Sequence, residues 1–533
     1  MNTQVLPERL AIATAENGFF KGYNLTVTLG SMLLITAFVL WAALLPEQAG
    51  TVVASIQGQV LDTFGSYYIY LMALFAVVCF LLAIPPRIGG IRLGGADTKP
   101  EFSRFSWISM MYCAVIGVGM LTYATGEPIY HFADNPEIIK GIVQAKMPET
   151  LDSVYRYSFL HWGFSAWTLY ALIGLALAYF SYNMGLPLTV RSALYPLFGK
   201  TLNGHLGHLV DIAAVVSALL GIAVTIGFGI SQLASGVYNI SGAEWIMNAG
   251  KPTGLALAFS LAVVMLLSTA SAISGVGRGV KWLSNLNMSL GFVLLVFFLV
   301  FGSTLFALKL LGSSLVDYLI TFIPQAFNVE EKGTALGDWQ AGWTIFYWAW
   351  WIASAPFVGM FFARISKGRT IREFILGAVL LPSLVCFIWL TFVGGAALDL
   401  ELSGAANGQI LNADISAQIY QVLNVMLSAS AAKAMSALVV ALLLIFLVTS
   451  ADSAILVINN INTGGSTEKS NNNHTMIWGA FLTAIIAVLL VAGGMGALKA
   501  AMIIGTLPFS FILLLMTIAL VKSLIAPQKP ILA

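Results

Sequence analysis

The chain has 533 residues, 59% of them hydrophobic and only 9% charged, with a net charge of +2 and a mean hydropathy of +0.89. A soluble domain of this length cannot cover so much apolar surface, so the composition excludes a water-soluble enzyme or binding module and indicates an all-α polytopic membrane protein. The net charge argues neither for nor against an anionic partner, and the three cysteines, Cys79, Cys113 and Cys386, lie inside apolar runs and imply no disulfide framework.

Residues 1–24 lack the charged-then-apolar pattern of a cleaved signal peptide, so the first apolar run is expected to be a retained helix. Runs long enough to cross a bilayer, roughly 20 residues each, fall near 25–45, 67–86, 106–127, 158–183, 210–236, 254–274, 282–308, 340–362, 373–398, 432–455, 475–493 and 499–521. These predict twelve transmembrane helices with both termini on the same side. With the termini inside, seventeen Lys and Arg residues fall on the inner side and eight on the outer, which predicts cytoplasmic termini in the inner membrane. Ser314–Pro324 is too short to cross and reads as an amphipathic helix on the outer surface. The connection at 399–431 carries no Lys or Arg and fits an external loop. The expected organisation is a tail (1–24), two leading helices (25–105), a five-span block (106–308), an external helix and loop (309–339), a second five-span block (340–521) and a short tail (522–533).

Two spans carry unusual punctuation. The third contains Cys113-Ala-Val-Ile-Gly-Val-Gly-Met120, and the eighth contains Trp350-Trp-Ile-Ala-Ser-Ala-Pro356. Each heads a five-span block, and interrupted helices at matching positions point to a transporter site between inverted repeats. An unwound backbone offers carbonyls to a cation and N–H groups to a carboxylate where water is scarce. Trp348, Trp350 and Trp351 also stand at mid-span, although indole usually prefers the membrane interface. Their π-faces predict a cavity that attracts a quaternary ammonium group.

These residues resemble the betaine/choline/carnitine transporter family. The stretch FYWAWWIASAPFVGMFFARISKGRTIREF (346–374) is similar to the most recognisable family segment. Further matches, in family order, are GEPIYHF (126–132), HWGFSAWTLY (161–170), GLPLTVRSALYPLFG (185–199) and VTSADSA (448–454). The resemblance implies a leucine-transporter-type core of two inverted five-helix repeats preceded by two helices, alternating access and a homotrimer. It implies a substrate box of Trp162, Trp167 and Tyr170 with Trp350 and Trp351; five- and three-residue spacings predict one broad face for the first three. Ser354 stands where a further aromatic is common, which opens one wall. Gly117 and Gly119 form the break, and Gly119 replaces the aspartate of choline-selective members. A substrate that brings its own carboxylate is therefore expected, because a cation without one needs an anion from the protein.

Thr449 and Ser450 resemble the family's sodium-binding hydroxyl pair, with carbonyls near Cys113, Ile116 and Phe446 completing the set. Alignment of Ala218, Ile222 and Phe357 with a second sodium site implies its loss. The expected function is sodium-coupled uptake of a betaine-like zwitterionic quaternary-ammonium or sulfonium solute. The alternative is a proton-coupled choline or carnitine transporter, for which His161, Glu127 and Asp452 are the ionisable candidates. A channel lacks support without an acidic ring or filter loop, and a membrane enzyme without an HExxH motif or paired carboxylates.

Overall fold

The computed structural model describes residues 10–115, 117–274, 278–466 and 472–525. Among them, ten helices are long and apolar enough to cross a membrane, as expected where a chain must satisfy its own backbone without water. Helix α1 (Leu25–Leu44) is capped by Asn24, whose side chain accepts from the Val27 N–H at 2.9 Å, and α2 (Pro46–Ala83) follows at once. The third expected span is two helices, α3 (Arg104–Val115) and α4 (Val118–Ala133), with Gly117 extended between them. The break at this point matches the sequence expectation.

The fourth span also breaks, which was not expected. Helix α5 (Leu151–Trp162) stops at Gly163 and α6 (Phe164–Ala178) begins directly after it. Then come α7 (His205–Ser241), α8 (Gly254–Ser274) and α9 (Arg278–Phe301). The segment expected as a short surface helix belongs to α10 (Thr304–Ala326), whose 23 residues reach membrane-spanning length. Apolar residues upstream of Ser314, from Leu305 to Leu311, extend the helix beyond the expected boundary. Arg156 on α5 donates to both Asp317 oxygens on α10 at 2.8 Å and to Glu137 at 3.0 Å, fastening the two helices.

Helix α11 (Phe346–Ile365) follows a π-helical turn at Ala341–Ile345 and runs unbroken through Pro356. The interruption expected between Trp350 and Pro356 is absent. Proline's fixed φ suits a helix, and within it Pro356 removes one hydrogen bond, to the Ile352 carbonyl. Packing retains the helix: a Cβ on Gly174 would lie 3.1 Å from the Gly359 oxygen, and one on Gly221 would lie 2.6 Å from Ala353 Cβ. Small residues thus let α6, α7 and α11 approach closely.

Helix α12 (Ile371–Trp389) starts with a Thr370–Glu373 capping box and continues through a π turn into Gly395–Leu402. The following loop is ordered: Glu401 accepts from the backbone N–H groups of Gly408, Ile410 and Leu411 at 2.8–3.0 Å. Helix α13 (Ala429–Asn462) precedes α14 (Asn472–Ile525). The last two expected spans are the two helical arms of α14, which part at Gly493 and Gly494: both residues leave helical geometry, and Gly494 takes a φ of +63°. At 1.5 Å per residue the arms at 472–492 and 495–525 are about 32 and about 46 Å long, each enough to cross a hydrocarbon core of about 30 Å. Helix α7 is central, packed on α11, α13 and α14. Its start is held by the buried Arg191–Asp211 pair at 2.6 Å.

Candidate functional site

The break at Gly163 organises the site. A Cβ there would lie 2.5 Å from the Phe159 oxygen and 2.7 Å from Phe387 Cζ and Tyr318 Oη, so glycine alone fits. Ending α5 frees backbone groups that a continuous helix would pair. The Phe164 N–H donates to the Tyr318 hydroxyl at 2.8 Å. Trp167 Nε1 donates to the Trp162 carbonyl and Trp351 Nε1 to the His161 carbonyl, each at 2.9 Å. Two expected box residues therefore anchor their indoles on the broken backbone.

The donors of Trp162 and Trp350 are also engaged, whereas Trp348, expected with them, packs on His161 at 5.8 Å and its Nε1 has no hydrogen-bond partner among the described residues. Trp162 Nε1 donates to Glu127 Oε2 at 2.7 Å, and Trp350 Nε1 to Thr225 Oγ1 at 3.1 Å. With their N–H groups fixed, the rings are held in place and their faces stay free of polar partners. Trp162 meets Trp351 edge to face, with centroids 4.9 Å apart and planes at 72°. Trp350 stacks on Trp351 at 5.3 Å and 9°, and lies 6.5 Å from Trp162. Tyr347 adds a wall 5.5 Å from Trp351, and Tyr123 another 5.8 Å from Trp350.

The structure brings Trp162, Trp350 and Trp351 together as expected, with Tyr170 at the edge, 6.4 Å from Trp351. Ser354 stands near the Tyr170 hydroxyl. Trp167 stands apart, against Tyr170 at 5.5 Å and Phe362 at 6.3 Å. The expectation that Trp162, Trp167 and Tyr170 share one helical face is corrected, because Gly163 resets the helix between the first and the other two. Tyr123 and Tyr347 were not expected; Tyr347, four residues before Trp351, was legible as the next position on the same helical face.

Gly119, the second residue of α4, lies between the rings: a Cβ there would stand 3.1 Å from Trp350 Cη2 and 3.2 Å from Trp162 Cη2. Gly117 faces open space, where a Cβ would meet nothing within 4 Å. No side chain caps α4, and the N–H groups of its first residues, Val118, Gly119 and Met120, have no acceptor within the helix. Such an N-terminus favours a negative group.

Behind Trp162 lies a cluster with no exposure to solvent. Glu127 Oε1 accepts from His161 Nδ1 at 2.6 Å and His131 Nε2 at 3.2 Å; Oε2 accepts from Trp162 and from the Tyr347 hydroxyl. Beyond Trp350, Lys499 Nζ stands 4.5 Å from the Phe346 ring centroid and 5.3 Å from that of Phe228. Both rings pack on Trp350, at 5.6 and 5.5 Å. A cavity of about 720 Å³ is bounded by Tyr130, Tyr238, Lys251 and Asp414 and shares no lining residue with the box. Tyr130 links it to Trp343 at 5.6 Å, and Trp343 to Tyr123 at 6.4 Å.

Of the expected sodium ligands, Ile116 lies outside the described residues, and for Cys113 the helical backbone alone is described. The Thr449 hydroxyl donates to the carbonyls of Ile445 at 2.9 Å and Phe446 at 3.2 Å, and Ser450 follows it, partly exposed. Asp452 instead accepts from Ser271 at 2.7 Å, tying α13 to α8.

Comparisons with known proteins agree with this geometry. The description "betaine/carnitine/choline family transporter" matches residues 26–529. A "Probable glycine betaine transporter" of Desulfitobacterium hafniense is 38% identical, covering 95% of this chain and 98% of that one. The glycine betaine transporter OpuD of Bacillus subtilis is 35% identical over 93% of this chain and 94% of its own. The osmo-independent choline transporter BetT1 of Acinetobacter baylyi is 35% identical over 93% and 92%. A solved structure of a Na+-coupled sialic acid symporter is similar at 11% identity and a TM-score of 0.43, covering 86% of this chain and 87% of that one, a likeness too remote to carry an argument. Matched along nearly its whole length, the chain is a multi-pass membrane protein that belongs to the betaine/carnitine/choline transporter family.

Proposed function

We propose that this transporter takes up a betaine-like zwitterionic quaternary-ammonium or sulfonium compatible solute by sodium symport with alternating access. The observation that carries the reading is the box of Trp162, Trp350 and Trp351, whose indole N–H groups are all bonded to protein. An onium group donates no classical hydrogen bond, so π-faces without competing polar groups suit it. Its carboxylate is assigned to the N–H groups that open α4 beside Gly117 and Gly119, which have no acceptor within the helix and where the helix terminus favours a negative charge. Tyr170 and Ser354 border the same space, and Trp167 holds the broken backbone beside it.

Sodium is assigned to the hydroxyls of Thr449 and Ser450 and the carbonyls of Phe446, Cys113 and Ile116. The assignment rests on oxygen chemistry, since hydroxyls and main-chain carbonyls suit sodium; in this structure the Thr449 hydroxyl donates back to the Ile445 and Phe446 carbonyls of its own helix. The ion supplies a gradient whose energy drives uptake. Twelve crossings, inverted repeats over 106–308 and 340–521, a homotrimer and cytoplasmic termini in the inner membrane complete the proposal. The two arms of α14 make the last two crossings, and the count is twelve with α10 lying at the outer surface.

The test is uptake of labelled glycine betaine into proteoliposomes against excess choline, carnitine, a sulfonium betaine and taurine. An inward sodium gradient is compared with matched potassium. Sodium-dependent betaine uptake poorly competed by choline is expected; uptake indifferent to sodium removes the symport assignment.

A further inference from the structure

Glu127, His131 and His161 are fully buried, and their facing atoms all lie within 4.8 Å of one another. Four donors converge on the Glu127 carboxylate: the two imidazoles, the Trp162 indole and the Tyr347 hydroxyl. A protonated carboxyl would have to donate into one of these contacts, so the arrangement suits the ionised, acceptor-only form. No Lys or Arg pairs with Glu127 among the described residues. With neutral imidazoles the cluster carries one negative charge, and one proton on either ring cancels it.

Both rings have room in the hydrogen-bond pattern for that proton. His161 Nε2 faces Thr344 Oγ1 at 3.0 Å, and a hydroxyl donates to a neutral ring or accepts from an imidazolium. His131 Nδ1 is buried with no hydrogen-bond partner among the described residues. Around the cluster, Tyr123 and Tyr347 face Glu127 from α4 and α11, and the Trp339 and Trp343 rings cover His131. Tyr157 from α5 faces His131 but bonds Glu137, which with Asp317 is already paired to Arg156. Lys499 from α14 is separated from the cluster by the rings of Phe346 and Trp350.

We propose that this buried triad is a proton-binding site linked to the aromatic box, so that a proton there weakens binding of an onium group and a bound onium group expels the proton. The inference rests on the cation-binding reading above. Trp162 connects the two sites, because one end of its indole donates to Glu127 and its ring forms a wall of the box. A carboxylate accepting from an indole N–H enriches the ring face, and its charge acts across low-dielectric protein. Linkage then requires the effect to be reciprocal.

The test is tryptophan-fluorescence titration of the purified full-length protein with glycine betaine and with choline, from about pH 8 to about pH 5, spanning ordinary histidine ionisation. The dissociation constant is expected to rise about tenfold toward acid, the size set by one unit charge about 10 Å away in partly screened protein. A pH-indicator dye in weak buffer should show proton release on substrate addition at the acid end. His131→Gln combined with His161→Gln should bind with little pH dependence; the His161 backbone carbonyl that holds Trp351 remains. His131→Gln alone, which touches no box residue, guards against a folding defect and should flatten part of the profile. A flat wild-type profile overturns the linkage, as does an unchanged slope in the double variant. Failure to bind either onium compound at any pH removes the transport reading itself, and this inference with it.

Discussion

Replacing Trp351 by leucine removes the ring that touches Trp162, Trp350 and Tyr347 at once, with centroids 4.9, 5.3 and 5.5 Å away. A desolvated cation–π contact contributes about 2 kcal/mol, which corresponds to about a 30-fold change in affinity. The substitution has a second effect, because Trp351 Nε1 donates to the His161 carbonyl at the Gly163 break. Leaving that buried acceptor unpaired costs about 1–3 kcal/mol of stability. Two comparisons separate these contributions. Trp351→Phe loses the donor but keeps a π-face. An uncharged ligand with a tert-butyl group in place of trimethylammonium keeps the shape but loses the charge. Calorimetric or fluorescence titration should show the preference for the charged ligand over its neutral isostere falling about 30-fold in Trp351→Leu and persisting in Trp351→Phe. Thermal stability should fall in both. An unchanged charge preference in folded Trp351→Leu would refute the cage, leaving Trp351 as a packing residue.

Gly163→Ala forces a Cβ to within 2.5 Å of the Phe159 oxygen and 2.7 Å of Tyr318 Oη. It should destabilise the protein by about 1–3 kcal/mol and abolish uptake, read as a lower melting temperature and loss of proteoliposome transport. Gly119→Ala meets only ring edges, at 3.1 and 3.2 Å. It should weaken substrate binding severalfold with little change in melting temperature; equal affinity would show that the rings yield freely. Thr449→Val removes one of the two hydroxyls assigned to the ion. It should raise the sodium concentration for half-maximal uptake about tenfold, one decade for about 1.4 kcal/mol, and unchanged sodium dependence would remove Thr449 from the ion site.

Much of the site was legible in local patterns, but its working geometry was not. The glycines of the third span marked a break, and Gly117 is where α3 and α4 part. The indoles of Trp162, Trp350 and Trp351 announced a π-walled site because aromatics at mid-span need a reason to be there. Pro356 misled, since a proline inside a well-packed helix removes one bond without ending the helix. Gly163 gave no comparable signal. A lone glycine is unremarkable in an apolar run, and its necessity comes from Phe387 and Tyr318, residues more than 150 positions away. Glu127, His131 and His161 were visible individually in two motifs, yet their convergence depends on how α4 meets α5.

Composition and periodicity alone determined that this protein is a bundle of apolar helices, because apolar runs of about 20 residues satisfy their own backbone in lipid as helices, whereas barrel strands are shorter and alternate. Motif order likewise determined its family. Only the tertiary structure decided that the fourth span is split, that the eighth runs unbroken through Pro356 and that Trp162 shares a carboxylate with two histidines. The reason is physical: hydropathy reports whether a segment prefers lipid, whereas a break, a kink or a buried charge is retained only by partners brought from distant parts of the chain.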